Sequence, residues 1–141
     1  MRLRMEDDRR DFAAAHVLLR YALSACGPLA PPDWQFEHND AGHPRVVGGQ
    51  AGTPPLVFSL THTRGLVACA VTHGLAVGID AERVRPVPGA QHIADTRFAS
   101  AEARMLGACD AATIDARFLE LWTLKEAYSK AVGLEIGRAH V

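Results

Sequence analysis

Trp122-Thr123-Leu124-Lys125-Glu126-Ala127-Tyr128-Ser129-Lys130-Ala131-Val132-Gly133 decides how the rest of the chain is read. As a helix it has an apolar face, because Phe118, Leu121, Trp122, Leu124, Ala127, Tyr128, Ala131 and Val132 recur at three- and four-residue steps. Glu126 and Lys130 are four apart and share one side, Lys125 lies beside them, and Gly133 is a C-terminal stop. Taken alone, Glu126 and Lys130 are an ordinary solvated helix pair worth about 0.2–0.5 kcal/mol. Whether they are more depends on what surrounds them.

Upstream of this helix, Thr113 or Asp115 is its opening residue. Ser100 caps a preceding helix over 101–109, with Glu102 near its start and Phe98 packed just ahead of the cap. A short helical turn falls at 90–94. The 84–89 stretch, with Pro86 and Pro88, reads as a hinge between two halves. Before the hinge come three apolar segments, 56–62, 66–72 and 75–81, separated by Thr63-Arg64-Gly65 and His73-Gly74. Both connections suit tight turns, so the expectation is an antiparallel meander. Alternation along the third segment puts Asp80 and Glu82 on one face. Two carboxylates so placed are either exposed charges at a strand end or oxygen ligands for one hard cation such as magnesium.

Further out, 34–38 alternates like a short strand, Asn39-Asp40-Ala41-Gly42 is turn chemistry, 45–47 is a brief extended piece and 48–55 is a loop. The first helix spans 6–25. Its stripe is Phe12, Ala15, Leu18, Leu19, Ala22 and Leu23, and Gly27-Pro28 ends it. Arg9, Arg10, His16 and Arg20 lie off the stripe, and a solvated basic face accounts for them. Helix, strands, then helices make an α+β protein.

Composition narrows the function classes. A chain of 141 residues suits one domain or two small halves sharing a core, and a net charge of -1 offers no electrostatic case for nucleic acid or an anionic membrane. Cys26, Cys69 and Cys109 are odd in number, widely spaced and in apolar surroundings. They read as buried thiols of a reducing compartment, without a disulfide framework or a CxxC metal pattern. No apolar run is long enough to span a bilayer, and the N-terminus has no signal-peptide core, so the expected address is the cytoplasm.

The ordered set of motifs resembles the Sfp-type 4′-phosphopantetheinyl transferases: Gly42-His43-Pro44, Phe58-Ser59-Leu60-Thr61-His62-Thr63, Gly78-Ile79-Asp80-Ala81-Glu82, Arg97-Phe98 with Glu102, and Trp122 through Lys130. Smaller trimeric acyl-carrier-protein synthases have similar Gly-Ile-Asp and Lys-Glu-Ala signatures, but with the Asp close to the N-terminus. Here residues 1–79 precede Asp80, which favours the arrangement of two halves in one chain. The resemblance implies two similar α+β halves with antiparallel sheets and long helices. It also implies transfer of 4′-phosphopantetheine from coenzyme A to a serine of an apo acyl or peptidyl carrier protein, releasing adenosine 3′,5′-bisphosphate.

In that reading Asp80, Glu82 and Glu126 bring magnesium to the pyrophosphate, and Glu126, directly or through a water, is the base for the serine proton. Lys130 stabilises or protonates the departing phosphate and Lys125 helps neutralise the pyrophosphate. His62 contacts the 3′-phosphate of coenzyme A, with Thr61 in the same phosphate-binding segment. His43 stands where the family usually has Lys, so its phosphate contact is expected to depend on pH near the histidine range. Thr61 and Thr63 replace the more common serines and keep the hydroxyls.

The expected organisation is an N-terminal half over 1–85, a partial C-terminal half over 86–134 and a tail over 135–141. The tail resembles a translated sequencing-library adapter and is expected to be non-native. The family's usual extent makes the chain an expected fragment of a monomeric parent, with an exposed apolar helix face and a tendency to self-associate. Two rival readings remain open. One is a metal-dependent phosphoester hydrolase using Asp80, Glu82, His62 and Glu126, and the other is a catalytically incomplete fragment that only binds coenzyme A or carrier.

Overall fold

The structure is a computed structural model and describes residues 2–133; the expected tail over 135–141 lies outside the described residues. Helix α1 (Arg2–Cys26) buries Ala15, Leu19 and Leu23, spaced four apart, while Phe12 and Leu18 of its expected stripe stay exposed. The helix ends where the chain must pass over Trp34. A side chain at Gly27 would come within 2.7 Å of the Trp34 ring, so only glycine lets that indole close beneath the helix end. Trp34 is buried and its indole N–H donates to Ser24 Oγ at 2.9 Å, which satisfies the one polar atom of the ring.

Strands β1 (Phe36–His38) and β2 (Pro44–Val46) form a short antiparallel pair. Their turn is held by Asn39, whose side-chain oxygen accepts from the backbone N–H of Ala41 and of His43. A single helical turn, α2 (Gly48–Ala51), occupies part of the expected loop. Strands β3 (Leu56–Thr63) and β4 (Leu66–His73) then form an antiparallel hairpin, closed by Arg64 and Gly65 with Gly65 at φ +83°. Leu19, Leu23, Trp34, Val46 and Leu56 make the first apolar core, between α1 and the hairpin.

The third strand of the expected meander is not formed. Residues 75–81 run beside β3 without a backbone ladder. Side chains take the place of ladder bonds: the N–H of Ile79 donates to Ser59 Oγ at 3.1 Å and the N–H of Ala81 to Thr61 Oγ1 at 3.2 Å.

The second core is helical. Helices α3 (Ala90–Arg97), α4 (Ser100–Gly107) and α5 (Ile114–Val132) bury Ala90, Ala94, Ala103, Leu106, Phe118 and Leu119, with Phe98 and Trp122 against them. Phe98 stacks on Phe118 with ring centroids 5.2 Å apart, and Phe118 on Trp122 at 5.8 Å. Helix α3 runs beyond the expected single turn. Ser100 is the first residue of α4 rather than its cap, and the cap contact is made by Glu102, whose carboxylate accepts the N–H of Ala99 at 3.0 Å. Gly133, at φ +76°, ends α5 as expected.

Leu124, Tyr128 and Val132 form an exposed apolar stripe along α5. Phe118 and Leu119 turn the opposite side of the helix inward, so part of the broad apolar face read from sequence is left outside. Cys26 is exposed, contrary to the buried-thiol expectation, because it lies past the last inward-facing turn of α1; Cys69 and Cys109 are half-buried. Among the described residues no helix is long and apolar enough to cross a membrane. The fold is α+β, with small antiparallel sheets and several helices.

Candidate active site

The site lies where α5 crosses β3 and the 76–82 segment. The packing of Phe118 and Leu119 fixes the rotation of α5, and this turns Glu126 and Lys130 toward β3. Close approach is possible because residue 78 is glycine. A side chain there would overlap the carbonyl oxygen of Ala127 and come within 2.7 Å of the amide nitrogen of Ala131. With the backbones in contact, Lys130 reaches across the join. Its Nζ donates to Leu60 O at 3.1 Å, Ile79 O at 2.9 Å and Asp80 Oδ1 at 3.1 Å.

Asp80 is more enclosed than Lys130, with its side chain 10 % exposed. Its Oδ1 accepts from Lys130 and, at 3.4 Å, from the Thr61 hydroxyl. Its Oδ2 is buried with no hydrogen-bond partner. Such an atom carries a desolvation cost, and a ligand or a cation at the site would relieve it.

Glu126 and Lys130 line a cavity of about 220 Å³ with His43, Pro44, Phe58, Ser59 and Leu60. It adjoins a groove of about 580 Å³, also lined by His43, Pro44, Phe58 and Lys130, that runs past Arg45 and Val57 to Gly133. Together they offer the concave, mixed polar and apolar surface that a cofactor-sized ligand needs. Four of the residues singled out from sequence therefore meet here: Asp80, Glu126 and Lys130, with His43 across the cavity. Thr61 joins them through its bond to Asp80.

Three other candidates do not. Glu82 faces away, paired with Arg85 at 3.0 Å, and lines a separate cleft of about 800 Å³ with Arg64 and Arg83. Lys125 points into the helical half, where its ammonium binds Glu102 at 2.6 Å and sits 5.0 Å above the Phe98 ring. That bond, with the Ala99 N–H adding to it, holds the Glu102 carboxyl below the usual carboxylate range. His62 alternates with Thr61 and so occupies the other face of β3, edge-on to Phe12 at 6.3 Å. Beside it, burial pushes the pKa of His16 down, with Arg20 and His62 lowering it further.

A three-carboxylate metal site is not gathered in this arrangement. Among the described residues no group of three His, Cys, Asp or Glu side chains is placed to hold a metal ion. At this site Asp80 Oδ2 is a buried oxygen without a hydrogen-bond partner, so one ligand position fits a hard cation and the full set does not.

Sequence reasoning passed over Ser59 as a site residue and gave Thr61 a phosphate-binding role, without seeing that their two hydroxyls organise this region. Ser59 and Thr61 are two apart on β3 and both are buried. Two buried hydroxyls on one face of an otherwise apolar strand are the available signal, since each needs a partner. Arg20, read as part of a solvated face, is a structural tie. It donates to Pro31 O at 3.1 Å and Trp34 O at 2.8 Å and lies 5.1 Å over the Phe36 ring.

An α+β scaffold with a carboxylate and an ammonium lining one cavity leaves the chemical class open, and comparison with known proteins narrows it. The family model described as the 4′-phosphopantetheinyl transferase superfamily matches residues 76–140. The 4′-phosphopantetheinyl transferase HetI of Nostoc sp. (strain PCC 7120) is 32% identical over 127 residues, which are 90% of this chain and 53% of the relative. The 4′-phosphopantetheinyl transferase psf-1 of Bacillus pumilus is 32% identical over 132 residues, 94% of this chain and 54% of the relative. The 4′-phosphopantetheinyl transferase AcpT of Salmonella typhi is 32% identical over 125 residues, 89% of this chain and 59% of the relative. The chain is thus similar to 4′-phosphopantetheinyl transferases over about nine-tenths of its own length, and it spans a little over half the length of these relatives.

Proposed function

We propose that the protein of which this chain forms part transfers 4′-phosphopantetheine from coenzyme A to a serine hydroxyl of an apo acyl or peptidyl carrier protein. The observation that carries the reading is the meeting of three distant motifs around Lys130, which lines the cavity and bonds to both other motifs. Glu126 and Lys130 come from α5, Asp80 from the 76–82 segment, and Ser59 to Thr61 from β3. The reaction breaks a pyrophosphate bond. The serine oxygen bonds to the phosphorus that carries pantetheine, the bond to the bridging oxygen breaks, and adenosine 3′,5′-bisphosphate leaves with the electron pair.

Glu126 lines the cavity and is the assigned base for the serine proton. His43, on the cavity wall, and Thr61, beside Asp80, are assigned to coenzyme A. His62, on the opposite face of β3, is assigned to the 3′-phosphate, at a distance from the chemistry that an extended ligand can span. Lys125 is assigned to the pyrophosphate only if it leaves Glu102.

Magnesium is part of the same proposal. Asp80, Glu82 and Glu126 would hold it, and it would neutralise charge on the phosphate oxygens. The unpartnered Asp80 Oδ2 supports this, and Glu82 would have to turn from Arg85. A cytoplasmic site of action and a monomeric parent complete the reading. Free cysteines are in keeping with a reducing compartment.

The test is the intact mass of an apo carrier protein after incubation with coenzyme A and magnesium. One arm uses this chain and another uses a chain extended to the length of the relatives. The expected gain is one phosphopantetheine, lost with a chelator and in Glu126→Ala. A gain in the extended chain alone identifies the present chain as a binding piece. Silence in both arms overturns the reading, and release of phosphopantetheine without a carrier points instead to a phosphoester hydrolase.

A further inference from the structure

We propose that Ser59 is a further substrate-binding residue: its hydroxyl donates a hydrogen bond to a phosphate oxygen of the coenzyme A pyrophosphate in the cavity of Glu126 and Lys130. The inference rests on the transferase reading for the identity of the ligand. What singles Ser59 out is the proton of its hydroxyl. A serine hydroxyl has one donor and two acceptor lone pairs. Here the oxygen accepts the N–H of Ile79 at 3.1 Å, and among the described residues no acceptor takes the hydroxyl proton in return.

Burial gives that proton weight. Ser59 is 7 % exposed, and a buried polar group without a partner carries a desolvation cost that a ligand can remove. The neighbouring hydroxyl supplies the contrast. Thr61 is buried as deeply and accepts the N–H of Ala81, but its own proton goes to Asp80 Oδ1 at 3.4 Å. Both hydroxyls tie the 76–82 segment to β3, and only Thr61 finds an acceptor there.

The surroundings decide which acceptor Ser59 meets. It lines the cavity of about 220 Å³ together with His43, Glu126 and Lys130. A ligand group beside the Lys130 ammonium is best matched by acceptor oxygens that carry negative charge, and a phosphate oxygen has both properties. The bond from Ile79 adds two effects. It holds the Ser59 oxygen in place while the proton stays free to turn, so the donor is positioned before the ligand arrives. It also polarises the hydroxyl, because a group that accepts one hydrogen bond donates the next more strongly.

The test titrates this chain by calorimetry, with magnesium held constant, against inorganic pyrophosphate, coenzyme A and adenosine 3′-monophosphate, which lacks the pyrophosphate. Ser59→Ala removes the donor and Ser59→Thr keeps it. In Ser59→Ala, affinity for pyrophosphate and for coenzyme A should fall about tenfold, as expected for a lost hydrogen bond to a charged group. Affinity for adenosine 3′-monophosphate should stay within about twofold. Ser59→Thr should bind all three ligands within about twofold of wild type. Amide exchange at Ile79 reads the accepting side of the same hydroxyl, and it should quicken in Ser59→Ala and stay slow in Ser59→Thr.

Unchanged pyrophosphate affinity in Ser59→Ala would overturn the contact, and so would a wild-type chain that does not bind pyrophosphate. An equal loss for all three ligands would overturn it too, because that pattern marks a distorted cavity rather than a missing donor. If Ser59→Ala does not fold, Ser59→Cys, with its weak S–H donor, decides by the same criteria. The carrier mass assay judges the transferase reading separately. Silence there, with the split between pyrophosphate and adenosine 3′-monophosphate intact, would sink that reading and leave the phosphate contact at Ser59 standing.

Discussion

In the α1–hairpin region one helix lies on a strand pair, and the buried Leu19, Leu23, Trp34, Val46 and Leu56 come from α1, the Trp34 turn, β2 and β3. In the α3–α5 region three helices bury small residues, Ala90, Ala94 and Ala103, around Leu106, Phe118 and Leu119. The join between these regions resembles neither. It is a polar seam of Ser59, Thr61, Asp80 and Lys130, with backbone resting on backbone at Gly78. Apolar burial is non-directional and supplies most of the stability, whereas hydrogen bonds supply direction at small net gain. The contrast teaches that the cores keep the chain folded while the seam decides where Asp80 points.

The strongest way to test that division is to damage each core separately. Phe118→Ala should cost about 3–5 kcal/mol and Leu19→Ala about 2–5 kcal/mol, read by urea denaturation. A single transition in both variants would mean that the regions unfold together through the seam. Two transitions, with only the mutated region shifted, would mean that the seam is too weak to couple them.

Next in size are changes at the seam. Gly78→Ala places a methyl against the Ala127 carbonyl and forces α5 off the segment, at a cost of about 1–3 kcal/mol. Amide exchange at Ile79 and Ala81 should rise while exchange in the α3–α4 core does not. An unchanged pattern would show that the contact is loose. Ser59→Ala removes the acceptor for the Ile79 N–H, and an amide left without a partner costs about 1–3 kcal/mol. If that variant loses neither stability nor Ile79 protection, the hydroxyl is incidental to the seam.

How much of this was legible in the chain follows from the range over which each feature is determined. The shared side of Glu126 and Lys130 comes from helical spacing alone, and both line one cavity. Asp80 was legible as a candidate because its segment is extended and its motif stands in a recognisable order. The missing third strand was not legible. Residues 75–81 have strand-like composition, and what prevents pairing is the approach of α5 from a stretch roughly fifty residues later, visible in the Lys130 bond to Ile79. Leu119 was passed over because α5 has apolar residues on more than one side, and only packing chooses between them. The tie between Lys125 and Glu102 depends on how α4 lies against α5, which no local period encodes.

That tie gives the smallest predicted effect, and it lies outside the seam. The Lys125 hydrogen bond lowers the pKa of Glu102 in the folded chain relative to the ordinary 4.5. A carboxyl with a depressed folded pKa contributes stability that is present above its unfolded value and is lost as pH falls through its folded value. The gain from the pair should therefore be intact at neutral pH and fade below about pH 4.5. Both side chains are partly exposed, so its size should not exceed about 1 kcal/mol and should shrink with added salt. Glu102→Gln measures it: the difference in Tm from wild type should be small at pH 7 and close as the solution is acidified. A difference that widens in acid would mean that the charged pair is not what Glu102 contributes. The Ala99 cap alone would then account for its place at the start of α4, and Lys125 would be freer to turn toward a pyrophosphate than its present bond implies.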